Sequence, residues 1–119
     1  MVTADFPVCT TICDSAFAHC KNLTTVSFPV CTSIGISAFQ NCSALTTVSF
    51  SVCTYVGSYA FSTCYALTEV NFPICTHIDF YVFYNCSALS SVNFPVCSTI
   101  DQYDGGFSYS DSSDICSVW

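Results

Sequence analysis

The sequence predicts a repeat solenoid, and three observations carry that expectation. They are a 22-residue apolar period, polar–apolar alternation inside each unit, and a proline at one fixed point in four units. Phe6, Phe28, Phe50, Phe72 and Phe94 share one register, and Cys9, Cys31, Cys53, Cys75 and Cys97 share a second. Ile12, Ile34, Val56, Ile78 and Ile100 form another column, as do Phe17, Phe39, Phe61 and Phe83. Cys20, Cys42, Cys64 and Cys86 follow, then Leu23, Leu45, Leu67 and Leu89, then Val26, Val48, Val70 and Val92. A unit this short cannot close a core, so each copy must bury its apolar side against the next.

Within a unit, Thr47, Val48, Ser49 and Phe50 alternate outward and inward, the period of a half-buried strand. Pro7, Pro29, Pro73 and Pro95 follow the strand, with Ser51 in the remaining copy. Proline lacks an amide donor and belongs at or past a strand end. Gly35 and Gly57 supply a turn, and segments such as Ser37-Ala38-Phe39 suit a short helical or 3₁₀ turn. One parallel strand per coil, at a spacing of about 4.8 Å, makes five coils a rod of about 25 Å.

Leu45-x-x-Val48-x-Phe50-x-x-Cys53 fits the leucine-rich repeat frame. Ile34-Gly35-x-x-Ala38-Phe39-x-x-Cys42-x-x-Leu45 resembles the BspA-type (treponemal) leucine-rich repeat over residues 4–100, in four full units with partial ends. The resemblance implies a right-handed leucine-rich-repeat coil with one short parallel strand per repeat and 3₁₀ or helical turns on the convex side. It also implies a surface or secreted adhesion or interaction protein, with no catalytic site to carry over. Cys13, Asp79 and Asp101 depart from the glycine of the pattern. The expected organisation is a solenoid over 1–100 and an irregular acidic cap or tail over 101–119. In that tail the Gly105-Gly106 pair and the serines read as loop, and Ile115, Cys116, Val118 and Trp119 could fold back over the last coil.

Composition narrows the function. With 119 residues, 8% charged, a net charge of −7 and Lys21 as the one basic residue besides histidine, the chain cannot grip phosphates. Nucleic acid is excluded as a partner, and no apolar run approaches the roughly 20 residues needed to insert across a membrane. The start Met1-Val2-Thr3-Ala4-Asp5-Phe6 has no basic n-region, so the expectation is a processed or excised piece of something longer.

Nine of the 11 cysteines recur every 11 residues, from Cys9 to Cys97. The resemblance implies inward-facing columns, where a thiol acts as a small hydrophobe. Disulfides between neighbouring coils stay open, because the strand spacing lies inside the allowed Cα separation. No C-x-x-C pair occurs, so zinc is not expected, and no cofactor is implied. His77 lies between Cys75 and Asp79, but an inward Cys75 makes a poor nucleophile, and no enzyme activity is expected.

Outward strand positions form polar columns: Thr25, Thr47, Glu69 and Ser91, then Ser27, Ser49, Asn71 and Asn93. On a concave face these residues are candidates for binding a host or matrix protein or a glycan. A further row of Thr10, Thr32, Thr54, Thr76 and Ser98 has an ice-binding alternative, against the plain reading of exposed residues with good β-propensity. Asn22, Asn41 and Asn85 head N-x-S/T sequons, which N-glycosylation or simple turn preference explains equally well.

A solenoid leaves apolar columns and strand edges bare at its ends unless they are capped. The repeat register runs to the first residues, so either the chain is one segment of a longer repeat protein or copies stack head to tail, and assembly into an open fibril is the expectation. The resulting reading is a non-enzymatic extracellular or cell-surface adhesion scaffold. Its rival is a monomeric protein- or glycan-binding module.

Overall fold

A computed structural model describes residues 2–93 and, as strand backbone, 99–100. Phe94, Cys97, Ser98 and the expected tail over 101–119 lie outside the described residues, as does the side chain of Ile100. Counted from the first phenylalanine column, the coils are 6–27, 28–49, 50–71 and 72–93, and 2–5 adds a strand before the first.

The alternating segments become β1 (Val2–Asp5), β3 (Leu23–Ser27), β5 (Thr47–Ser49), β7 (Glu69–Asn71) and β9 (Ser91–Asn93). Parallel pairing joins β1 to β3, and β5 to β7 to β9. Val48 lies opposite Val70, and Val70 opposite Val92, so equal positions of successive repeats share a rung. Each coil also has a second strand that alternation over two residues could not reveal. These are β2 (Thr11–Ile12), β4 (Ser33–Ile34), β6 (Tyr55–Val56), β8 (His77–Ile78) and β10 (Thr99–Ile100), paired in parallel in that order.

The turn between the two strands explains the proline. The Cys31 amide donates to Phe28 O at 3.3 Å, and the Cys75 amide to Phe72 O at 3.3 Å. Each described Phe-Pro-x-Cys segment is thus a β-turn with proline at its second position, where a fixed φ is favourable and no amide is needed.

The expected helical or 3₁₀ segment is instead a run of separate turns. Alternate amides part company: Ala16 donates to Cys13 O three residues back, while Ser15, Phe17 and His19 donate to Ile36, Ala38 and Gln40 of the next coil. The same division recurs in the next two coils, so this side carries an inter-coil ladder of its own. Two positions per coil must adopt positive φ to allow it. Ser15, Ser37, Tyr59 and Tyr81 lie at 58° to 61°, and His19, Asn41, Thr63 and Asn85 at 61° to 65°.

Neither described glycine has positive φ. Close approach of backbones is what demands them. A Cβ on Gly35 would sit 2.6 Å from Asp14 Oδ1 and 2.7 Å from its amide nitrogen; one on Gly57 would sit 2.9 Å from Gly35 C.

Inside, the columns meet as expected. Phe39 and Phe61 stack with ring centroids 5.2 Å apart and 3° between planes, and Phe50 lies on Phe72 at 5.4 Å. The two phenylalanine columns meet edge to face, as for Phe28 and Phe39 at 6.2 Å and 75°. Such pairs add about 0.5–1.5 kcal/mol beyond area burial. Four members of the expected core ladders differ. Phe6 is 42% exposed, and Cys9, Phe17 and Cys20 are only half-buried. All four lie in the first coil, which has a neighbouring coil on one side only.

Candidate interaction surfaces

Strand pleating turns Ala4, Val26, Val48, Val70 and Val92 inward and their neighbours outward. Thr25, Thr47, Glu69, Ser91, Ser27, Ser49 and Asn93 are exposed, and Asn71 is half-buried. Along the second column Asn71 Nδ2 donates to Ser49 Oγ at 3.4 Å, and Asn93 Nδ2 to Asn71 Oδ1 at 2.6 Å. Asn71 and Asn93 thereby hold each other's amides in one orientation, presenting a ribbon of donors and acceptors.

The threonine row differs from a free hydroxyl array. Thr32 Oγ1 donates to Thr10 O at 3.2 Å, Thr54 to Thr32 O at 3.2 Å and Thr76 to Thr54 O at 3.3 Å. Each hydroxyl proton is spent on the preceding coil. Thr24, Thr68 and Ser90 do the same on the other side, to Val2, Thr46 and Thr68 carbonyls.

Both cysteine columns are free thiols in the described coils, with Cys31, Cys42, Cys53, Cys64, Cys75 and Cys86 buried and Cys13 exposed. The column from Cys9 donates two residues on, as Cys53 Sγ does to Tyr55 O at 3.3 Å. The column from Cys20 donates backwards across the coil boundary, as Cys86 Sγ does to Phe61 O at 3.1 Å. Loss of hydration on burial pushes Cys42 up to about 11 and Cys53 and Cys86 up to about 12. Cys31 and Cys64 are raised by the same cause. Thiols held protonated in this way are poor nucleophiles and poor metal ligands.

Cys75 Sγ donates to the backbone carbonyl of His77 at 3.4 Å, while the His77 ring lies on Tyr55, 5.2 Å away. Among the described residues no group of three or more His, Cys, Asp or Glu could hold a metal ion. No helix among them is long and apolar enough to cross a membrane.

The three sequon asparagines differ in setting. Asn22 and Asn85 are exposed, whereas Asn41 is half-buried with Nδ2 3.1 Å from His19 Nδ1. Asn41 and Asn85 hold the left-handed turn position, with φ of 63° and 61°, a conformation asparagine tolerates better than most residues. Backbone geometry therefore accounts for two of the three without reference to any modification.

A surface that the repeating columns did not announce lies on the turn side of the third and fourth coils. Tyr59 and Tyr81 stack at 5.3 Å, Phe80 meets both rings edge to face at 6.0 and 5.6 Å, and Tyr84 meets Tyr81 at 5.6 Å. Beside them Tyr55 donates its hydroxyl to Asp79 Oδ2 at 3.1 Å, and Asp79 Oδ1 accepts the Phe80 amide at 2.9 Å. Burial raises the Tyr55 hydroxyl, and Asp79 beside it raises it further. The signal for this face was present in the sequence as the columns that change from coil to coil.

The open end of the first coil forms an apolar recess lined by residues that include Val2, Phe6, Phe17, Cys20 and Leu23. Val2 is 50% exposed there.

Residues 4–113 match the family model described as a BspA type leucine rich repeat region, in 6 copies. No curated protein matches the sequence. A leucine rich cell surface protein from Faecalibacterium prausnitzii A2-165 superposes with a TM-score of 0.66 at 21% identity, covering 92% of this chain and 33% of that one. The chain thus spans a third of that protein's length. A leucine-rich repeat protein from Bacteroides ovatus ATCC 8483 gives 0.43 at 18% identity, over 87% of this chain and 46% of that one. The T. pallidum leucine rich repeat protein gives 0.43 at 15% identity, over 98% and 83%. At such identities the likeness is one of fold. With the family model covering nearly the whole chain and the coils stacked in its register, the chain belongs to the BspA-type leucine-rich repeat family.

Proposed function

We propose that the chain is a non-enzymatic adhesion scaffold, displayed at a cell surface or outside the cell, that binds partners through its faces and stacks end to end with further copies. The observation that carries the stacking is the contrast within one ladder. Phe6 is 42% exposed while Phe28, Phe50 and Phe72 are at or below 2%. A ring in that position is completed by one more coil of the same kind, which a second copy of the chain can offer. The similarity in fold to a cell surface protein supports the location. Exposed Asn22 and Asn85 are the sequons that a glycosylating route would reach most readily.

Two measurements test this. Sedimentation and negative-stain imaging should show concentration-dependent linear assembly; a dilution-independent monomer rejects the stacking. Beads coated with the chain should be retained under flow on glass bearing matrix proteins or glycans, and retention no better than albumin-coated beads rejects the adhesive role. The monomeric binding module has its own support in the exposed strand-face columns, and it predicts retention without assembly.

A further inference from the structure

We propose that the aromatic face of the third and fourth coils, formed by Tyr55, Tyr59, His77, Phe80, Tyr81 and Tyr84, docks a protein surface that presents arginine or lysine. The proposal rests on the adhesive reading above and names the face and partner chemistry it would use.

The repeats act as their own control. Where the third and fourth coils carry Tyr59 and Tyr81, the first two carry Ser15 and Ser37 on the same left-handed backbone, with φ of 58° in both serines. Where Tyr55 and His77 stand, Thr11 and Ser33 form the same strand rungs. The register of Phe80 holds Asp14, Ile36 and Ser58, and that of Tyr84 holds Ala18, Gln40 and Ser62. The fold is therefore built without rings at any of these positions. Large side chains at φ of 61° and 60° are also where a backbone resists them most, so Tyr59 and Tyr81 are retained against a conformational cost.

What the face offers is rigid, amphipathic area. Its rings brace one another through four contacts between 5.3 and 6.0 Å, so little side-chain freedom remains to be lost on binding. Tyr84 is 40% exposed. Tyrosine-rich patches of this kind supply the central anchors of protein interfaces.

Charge selects the partner. The chain has 8 acidic residues against one lysine, so a basic partner meets almost no repulsion and is steered inward. The face contains Asp79, whose carboxylate is fixed by Tyr55 and the Phe80 amide between the two ring groups. A guanidinium placed there could stack on tyrosine and pair with the carboxylate together, which an ammonium does less well. Anionic glycans and phosphate-bearing ligands are disfavoured by the same field.

The test uses the whole chain and five probes: alternating arginine–glycine, lysine–glycine, glutamate–glycine and serine–glycine peptides of equal length, and cellohexaose. Titration by fluorescence or calorimetry should give binding in the order arginine, lysine, then the others. The combined variant Tyr59→Ser, Tyr81→Ser, Tyr84→Gln installs residues that other coils already hold, so its circular dichroism should be unchanged. It should weaken the arginine peptide at least tenfold, and Asp79→Asn several-fold. Asp5→Asn, which removes one exposed charge on the first strand, should change it less than twofold. Equal binding to the triple variant would mean that net charge alone attracts the peptide, and would overturn the site. No arginine-peptide binding, or equal or tighter binding of cellohexaose or the serine peptide, would overturn the partner class. If coated beads still adhere when the site fails, the scaffold role stands without it. If the arginine peptide binds but beads do not adhere, the site stands and the scaffold role falls.

Discussion

The Cys64 thiol donates to the Phe39 carbonyl at 3.2 Å, across the boundary between two coils. The same carbonyl accepts the Cys42 amide at 3.2 Å, so the thiol is a second donor to an oxygen already satisfied. The cysteine column therefore contributes mainly by filling volume, with a weak bond added. Cys64→Ala should cost about 1–2 kcal/mol, the scale of a small buried deletion, and Cys64→Val should fail to restore it where the added methyl has no room. Urea unfolding of the two variants checks this.

Ladder position should set the cost of losing a phenylalanine. Phe50 is fully buried and stacks on Phe28 at 5.8 Å and Phe72 at 5.4 Å. Phe50→Ala should cost about 3–5 kcal/mol. Phe6 has a stacking neighbour in its own column on one side only, Phe28 at 5.2 Å, and Phe6→Ala should cost less than half as much at protein concentrations that keep the chain monomeric. Equal losses in the two variants would show that the end of the ladder is covered.

Gly57→Ala should destabilise although the glycine has ordinary φ. The new methyl would meet Gly35 C and Ile36 N at 2.9 Å, and both are backbone atoms that cannot turn aside. Overpacking of this kind costs about 1–3 kcal/mol. Thermal unfolding should show a clear drop in Tm. An unchanged Tm would mean that the coils can separate locally.

Thr63→Asn should stabilise. Thr63 is the one β-branched residue at a described left-handed position, with φ of 62°, and Asn41 and Asn85 fill the same place in adjacent coils. Relief of that strain is worth about 0.5–1 kcal/mol, since a left-handed residue costs about 1–2 kcal/mol and asparagine recovers part of it. Chemical denaturation should move to higher urea with an unchanged slope.

Much of the fold was legible because a period is a linear signal. Phe39 and Phe61 stand one repeat apart in sequence, and stacking is the one way for units of that length to bury them. The two-residue strands such as Tyr55–Val56 were not legible, since so short a segment contains no periodicity to read. Nor were the left-handed positions, because serine, tyrosine and histidine hold them where glycine would have announced them. The strand-face columns were visible as polar alternation. The aromatic face was hidden by the same periodicity that revealed the core: Tyr59 and Tyr81 depart from Ser15 and Ser37 in their column. The exposure of the first ring was also invisible, since Phe6 has the register of a core residue and the exposure of a surface one.

Thiol chemistry gives the chain an alkaline limit whose sign follows from burial. Desolvation raises Cys42 to about 11 and Cys53 and Cys86 to about 12, above the ordinary thiol value that they regain on unfolding. The folded chain therefore binds more protons than the unfolded one at alkaline pH. Stability from this source is complete below about pH 8.5, the ordinary thiol value, and falls as pH rises through 11 to 12. Replacing Cys42, Cys53 and Cys86 together by alanine should lower stability at pH 7 yet flatten its decline between pH 9 and 11. At pH 8 a disulfide reagent should modify exposed Cys13 at once and the half-buried Cys9 and Cys20 more slowly. Cys31, Cys42, Cys53, Cys64, Cys75 and Cys86, which are buried, should react only at the rate of unfolding. Rapid modification of Cys53 or Cys64 in the folded chain would show that the coils part far more readily than their stacked rings imply.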